Sequence, residues 1–299
     1  MEIESVQSYL SLVNRLQKQY LYIVPPEGNN PLFKPQMFPP KFIFRGHSNH
    51  EKYKLSPSIF RWRQASNGSF VSEFSQLEYT ILFDFMSEAC GFIKDIPPQN
   101  VVAWLEIARH YGVPTRLLDF TRNPLVALYF ACVSSPKNDA SVWIVNETAY
   151  KRVFFGINEW FPVSPAPSDA IVSKIVYDEI VTQDYQLHND PQNYYQYPWI
   201  YKPFYRDDRM NAQSSVFMLW GGDRAELTSF MKPEFFMVDQ DTTDNAATGI
   251  LCSVQIHSNK KQEILRQLDA CGINEKFIYP GLDGIGRYIA EKYSSDIAM

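Results

Sequence analysis

The sequence predicts an α+β protein, a single compact domain with a helix-rich N-terminal half and a mainly antiparallel sheet in the C-terminal half. Three observations carry that expectation. Apolar residues recur at helical spacing through much of the first half, and short β-prone runs follow one another beyond residue 135. The chain of 299 residues with 45% apolar content can bury a sizeable core, and no internal repeat or low-complexity tract divides it.

Taken in order, "SVQSYLSLVNRLQKQYLYIV" places Val6, Leu10, Val13, Leu16 and Tyr20 at helical spacing, with Ser5 as its N-cap. "PPEGNNPLFKPQMFPP" holds six prolines, too many for regular structure, and reads as a surface loop. "KFIFRG" is β-prone and ends at Gly46. A long buried helix is expected within 70–93. A second, "NVVAWLEIARHYG", should end at Gly112 as its C′ residue. "PTRLLDFT" reads as a short, partly extended connector. In "RNPLVALYFACV", Asn123 caps a helix that begins at Pro124. "ASVWIVN", "AIVSKIVY", "SVFMLW", "FFMVD" and "GILCSVQI" read as strands, and "NKKQEILRQLDACGI" as a helix. Residues 183–208 read as a long loop of the kind that often carries function.

Composition narrows the classes of function. A net charge of −5 argues against a general binder of nucleic acid or of anionic membranes, and leaves a local positive pocket as the credible site. Cys90, Cys132, Cys252 and Cys271 form no C-x-x-C pair, which suggests core thiols rather than a zinc or dithiol motif. No metal site is expected. The first 25 residues lack the pattern of a secretory signal, and no run of about 18 apolar residues offers a membrane span. The expectation is a cytoplasmic protein with reduced thiols and no membrane partner; its oligomeric state is left open.

One segment stands apart. "ARHYGVPTRLLDFTRNPLVALYFAC" brings Arg109, His110, Arg116, Asp119 and Arg122 together between apolar stretches, and charged side chains are rarely buried unpaired. They either hold one another or hold a ligand. Arg116 and Asp119 at i, i+3 have the spacing of a loop-fixing pair. Thr115 and Thr121 suit turn caps. His110 suits either a helix C-terminus or acid–base work. Tyr194, Tyr195, Tyr197, Trp199 and Tyr201 could stack on a base or fill a core. "PGLDGIG" lacks the pattern of a phosphate loop.

Phe44-Arg45-Gly46, then "YKLSPSIFR" and "HYGVPTRLLDFTRNPLVALYFA", followed by "RMNAQSSVF" and "FIYPGLDGIGRYI", form a series of ordered blocks. Together they resemble the FRG domain family, named for that tripeptide and widespread in bacteria. The resemblance spans about 41–290, leaving 1–40 as the N-terminal helix and Pro-rich loop and 291–299 as a tail. His47, Tyr111, Phe120 and Ser215 stand where the family pattern commonly has Gln, His, Trp and Gly.

The order of these blocks also resembles, more weakly, that of ADP-ribosyltransferases. That likeness implies an NAD-consuming transferase or glycohydrolase, with NAD as substrate and a nucleic acid or protein as acceptor, and the FRG resemblance implies a setting in bacterial defence or toxin activity. Arg45, Asp119, Thr121 and Gln213 would then be catalytic, and Arg45, Gly46, Arg116, Thr115 and His110 would bind the nucleotide. An arginine can hold a pyrophosphate through bidentate hydrogen bonds, and Gly46 would let the backbone approach the nicotinamide carboxamide. Departure of nicotinamide leaves positive charge on the ribose, which Asp119 would steady while Gln213 positions a hydroxyl. From another class comes a non-catalytic recognition module whose pocket binds a nucleotide, a nucleic-acid end or an acidic partner. Both remain open on the sequence.

Overall fold

The computed structural model describes residues 1–20, 22–24, 36–38, 40–61, 71–156, 172–182, 196–204, 208–238 and 249–293. Among these, six strands form one antiparallel sheet and helices cover it, an α+β architecture. The strands are β3 (Phe42–His47), β4 (Leu117–Thr121), β5 (Ala140–Asn146), β6 (Trp199–Tyr201), β7 (Ser215–Leu219) and β8 (Leu251–Ile256), in the order β6-β7-β4-β3-β5-β8. A separate two-stranded ladder pairs β1 (Tyr22–Val24), at the end of the stretch read as the first helix, with β2 (Gln36–Phe38), where the prolines had predicted only loop.

The sheet is therefore not confined to the C-terminal half. Its two central strands come from the N-terminal half, and "LLDFT" is one of them rather than a connector. Leu117, Leu118 and Phe120 are buried, and a strand covered on both faces reads as an apolar run instead of an alternation. Two expected strands are also absent. In "AIVSKIVY", residues 172–176 are α-helical and continue into a π-helical turn, Tyr177–Thr182. The buried set Val172, Ile175, Val176 and Ile180 has helical spacing. In "FFMVD", Pro233–Phe235 forms a 3₁₀ turn and Phe236 makes a single parallel bridge to Leu251.

Side-chain alternation divides the sheet into two faces. On one face, Phe42, Phe44, Val142, Ile144, Cys252, Val254 and Ile256 pack beneath α1 (Val6–Gln19), α5 (Pro124–Cys132) and α8 (Lys261–Ala270). The same face of the other half-sheet, Leu117, Phe217, Leu219, Trp199 and Tyr201, packs beneath α3 (Val71–Ala89), α4 (Val101–His110) and residues 172–180. The opposite face, with Ile43, Leu118, Phe120, Val145, Val216, Met218 and Leu251, is covered by α6 (Glu147–Phe155), Leu55, Trp220 and Leu227. Trp199 and Tyr201 are thus core residues, and Tyr197 packs on Phe154 with ring centroids 4.5 Å apart. Tyr194 and Tyr195 lie outside the described residues.

Local signals decide the helix ends. Ser5 and Ser8 form a capping box at the start of α1. At the end of α4, Gly112 takes φ +85°, its N–H reaches the Arg109 carbonyl at 3.1 Å, and the Val113 N–H reaches Ala108 at 2.9 Å. These two bonds make a Schellman motif and fix the turn from which Arg109 and His110 project. Asn123 caps α5 by accepting from the Leu125 N–H at 2.9 Å. All four cysteines are free thiols; Cys132 and Cys252 are in the core, whereas Cys90 and Cys271 are exposed, against the expectation for those two. Among the described residues no helix is long and apolar enough to cross a membrane.

Candidate functional site

The two helical layers leave a gap at the middle of the sheet, and the ladder itself opens there. β3 and β4 share one registered pair, Phe44 with Thr121, beyond which the strands splay apart. A carbonyl that loses its ladder partner needs another donor. Arg45 provides it: its Nη1 donates to the Asp119 carbonyl at 2.5 Å and lies 3.7 Å from Asp119 Oδ2, while its Nε donates to His47 Nε2 at 3.1 Å. Alternation assigns Arg45 and the Asp119 side chain to opposite faces of the sheet, so the arginine crosses the split between the half-sheets to make these contacts.

Above the split lies a cavity of about 430 Å³. Arg45, Gly46, His110, Asp119, Thr121 and Gln213 all line it, joined by Arg109, Arg209, His47 and Tyr53. Its apolar wall includes Phe44, Val126, Phe130 and Phe217. Asp119 is held from α4: Arg109 Nε donates to Oδ2 at 2.9 Å and Nη2 to the same oxygen, while Nη1 donates to Ser58 Oγ at 3.2 Å. Recession of the carboxyl raises its pKa, but the charge and hydrogen bonds of Arg109 and then the charge of Arg45 outweigh that effect. Asp119 therefore titrates below the ordinary carboxylate range and is ionised at neutral pH. Its side chain keeps 42% of its surface exposed.

The depressed pKa has a consequence for stability. A carboxyl whose folded-state pKa lies below its unfolded value stabilises the fold above the unfolded value, and that contribution is lost as pH falls through the folded one. The melting-temperature difference between wild type and Asp119→Asn is expected to hold steady near neutrality and to shrink below about pH 4. Melts across pH 3–7 check it; a difference that grows on acidification overturns the assignment.

Thr121 and Gln213 are engaged as well. Thr121 Oγ1 donates to the Gln213 carbonyl at 2.5 Å and accepts from the Asn123 N–H at 2.9 Å, so it ties the β4 end to β7 while Asn123 caps α5. Gln213 Nε2 donates to the Ile278 carbonyl at 3.1 Å, which fastens "RMNAQSSVF" to "FIYPGLDGIGRYI". The turn between α7 (Asp208–Ala212) and β7 passes through Ser214 at φ +48°, a left-handed position that a non-glycine residue seldom takes.

Arg116 and Thr115 are not in this cavity. Arg116 is fully buried, forks onto Glu78 through Nε at 2.9 Å and Nη2 at 2.6 Å, and donates Nη1 to the Trp220 carbonyl at 3.1 Å. The i, i+3 pairing with Asp119 is thus replaced by two others, Arg116 with Glu78 and Asp119 with Arg109. Thr115 is buried and its Oγ1 accepts from the Leu117 N–H at 3.3 Å. Gly46 lines the cavity, but its missing side chain serves packing: an added Cβ would lie 2.1 Å from the Ala127 carbonyl oxygen and 2.6 Å from the Ala131 nitrogen of α5.

The residues not singled out for binding from the sequence are Arg109, Arg209, His47 and Tyr53. Arg109 carried a signal in its charged segment, and Arg209 in opening the "RMNAQSSVF" block. Among the described residues no group of three or more His, Cys, Asp or Glu side chains could hold a metal ion. Neither the curated proteins nor the solved structures provide a significant match to the chain. The family comparison does: residues 40–140, which run from β3 through α5 to the start of β5 and supply Arg45, Arg109, His110, Asp119 and Thr121, match the FRG domain model.

Proposed function

We propose that the cavity over the split sheet binds a small phosphate-bearing ligand of the nucleotide class. The observation that carries this reading is the charge of the lining: among the described residues the arginines Arg45, Arg109 and Arg209 stand against one carboxylate, Asp119, in a recess of about 430 Å³. Three cations less one anion leave an excess of two within a protein whose net charge is −5. A phosphate oxygen meets such an excess with charge-assisted hydrogen bonds, and a planar ring finds its surface against Phe44, Phe130 and Phe217. Calorimetric titration with AMP, ADP, NAD and adenosine tests it. Phosphorylated ligands should bind, and adenosine should bind at least tenfold more weakly. Failure of all of them at millimolar concentration would remove nucleotides as the ligand class.

A second reading, hydrolysis or transfer of ADP-ribose from NAD, is favoured by the ionised, half-exposed carboxylate of Asp119. In it the C1′–N bond breaks and its electron pair leaves with neutral nicotinamide. The ribosyl cation is steadied by the Asp119 charge. A water or acceptor oxygen then bonds to C1′ and releases its proton. Arg109 and Arg45 withdraw part of that charge, which is why binding is the primary reading here. Gln213 keeps its amide oxygen and a second N–H for a ribose hydroxyl. Measurement of free nicotinamide decides between the two: turnover by wild type that is lost in folded Asp119→Asn supports the enzyme, and its absence in wild type supports the recognition module.

A further inference from the structure

Arg209 occupies a seam. It lines the cavity over the sheet and also a second, outer cavity of about 920 Å³, and of the inner lining residues only His110 shares that position. The outer cavity lies between α4, α7, α9 (Glu275–Ile278) and α10 (Leu282–Lys292), and its wall includes Tyr111, Tyr279 and Pro280. The Arg209 guanidinium stacks 4.5 Å from the centre of the Tyr279 ring. Its Nε is buried and has no hydrogen-bond partner among the described residues, and no ion pair to it is formed among them.

The other two arginines of the inner cavity are already engaged, Arg109 by Asp119 and Ser58, Arg45 by His47 and the Asp119 carbonyl. A buried guanidinium N–H without an acceptor is unfavourable, so among the described residues of the inner cavity Arg209 is the arginine left to be satisfied by a ligand. Tyr279 holds its plane, which lowers the entropy that the side chain must lose on binding.

The two cavities differ in sign. The inner one has an excess of cations, whereas the outer one sets Arg209 and Arg287 against Asp208, Glu275 and Asp283, and Arg287 is already paired with Glu275 through Nε at 2.5 Å. A terminal phosphate monoester pointing outward would face these carboxylates. A phosphate esterified on both sides would not, because its outward arm is neutral and can donate hydroxyl hydrogen bonds to Asp208 or Asp283.

We infer that Arg209, braced by Tyr279, anchors a bridging phosphate at the seam, and that the ligand is a two-armed phosphodiester or pyrophosphate-linked molecule with one arm in each cavity. This rests on the nucleotide reading but names a different residue and a narrower ligand. The test uses the full chain and calorimetry with ADP-ribose, ADP and inorganic pyrophosphate, against Arg209→Gln, Arg209→Lys and Tyr279→Leu, each first shown to melt as a folded protein.

ADP-ribose should bind at least tenfold more tightly than ADP. Arg209→Gln should weaken ADP-ribose by roughly tenfold to a hundredfold, as expected for a lost hydrogen bond between charged groups. Arg209→Lys and Tyr279→Leu should fall between wild type and Arg209→Gln. If wild type binds ADP-ribose and ADP equally, or Arg209→Gln binds ADP-ribose as wild type does, the inference is overturned while the nucleotide reading stands. If pyrophosphate alone binds, lost in Arg209→Gln, the anion anchor stands and both the nucleotide reading and the two-armed ligand fall. Binding of none of the three overturns both.

Discussion

Glu78→Ala is expected to destabilise the protein by about 3–5 kcal/mol, the range for removing one partner of a buried ion pair. Glu78 and Arg116 each have side chains 1% exposed. The carboxylate takes the guanidinium through two nitrogens and also accepts from the Arg116 backbone N–H at 3.2 Å. Without it the guanidinium loses its two-nitrogen carboxylate partner while it still donates to the carbonyls of Trp220 and Gly221, at 3.1 and 3.3 Å, and its charge stays buried. The pair joins α3 to the residue just before β4, so its loss loosens the strand that positions Asp119. Urea unfolding of Glu78→Ala, Arg116→Ala and the double variant checks it. The double variant should cost clearly less than the sum of the singles, because removing both partners leaves no orphaned charge. A loss under 1 kcal/mol in Glu78→Ala would sink the account. As a control, disrupting the exposed Arg266–Glu263 pair should change stability by no more than about 0.5 kcal/mol.

That Glu78 belonged with Arg116 could not be read from the sequence, and the reason is distance along the chain. The charged segment offered Asp119 three residues from Arg116, but a β-strand turns successive side chains to opposite faces, so positions 116 and 119 do not meet. Arg109, ten residues away in sequence, meets Asp119 because the Schellman turn at Gly112 folds the end of α4 back over β4. Capping and turn signals were legible wherever they were local: Ser5, Asn123 and Gly112 each stand where the sequence predicts. Strand identity was legible where β-branched and aromatic residues dominate, as in "ASVWIVN" and "SVFMLW", although both are buried on both faces; it was illegible in "LLDFT", whose leucines and aspartate carry little strand preference, and in "AIVSKIVY", whose β-branched residues mask a helical period. The gathering of Arg45, His110, Asp119, Thr121 and Gln213 around one cavity followed from the family resemblance rather than from periodicity. Arg209 escaped notice because its distinction, a buried Nε with no hydrogen-bond partner among the described residues, shows only in the fold.

Gly46→Ala separates two explanations of the glycine beside Arg45. If Gly46 is there so that a ligand can approach the backbone, a methyl group should impair binding and leave the fold intact. The packing argues for the reverse. An added Cβ would lie 2.1 Å from the Ala127 carbonyl oxygen and 2.6 Å from the Ala131 nitrogen, both backbone atoms of α5, which cannot yield as the tip of a flexible side chain would. Relief requires moving α5 off β3, and α5 is buried between the sheet and α8, with Val126, Ala127, Leu128 and Ala131 all fully buried. The expected loss is about 3 kcal/mol, at the upper end of the usual range for overpacking. Gly112→Ala is the internal comparison: it meets no atom within 4 Å but must hold φ +85°, a conformational penalty of about 1 kcal/mol. Thermal or urea unfolding of both variants decides the matter. Gly46→Ala should be the more damaging by about 2 kcal/mol on these two figures. If it instead melts with the wild type and loses only ligand affinity, α5 is not locked against β3, and the glycine serves the cavity rather than the fold.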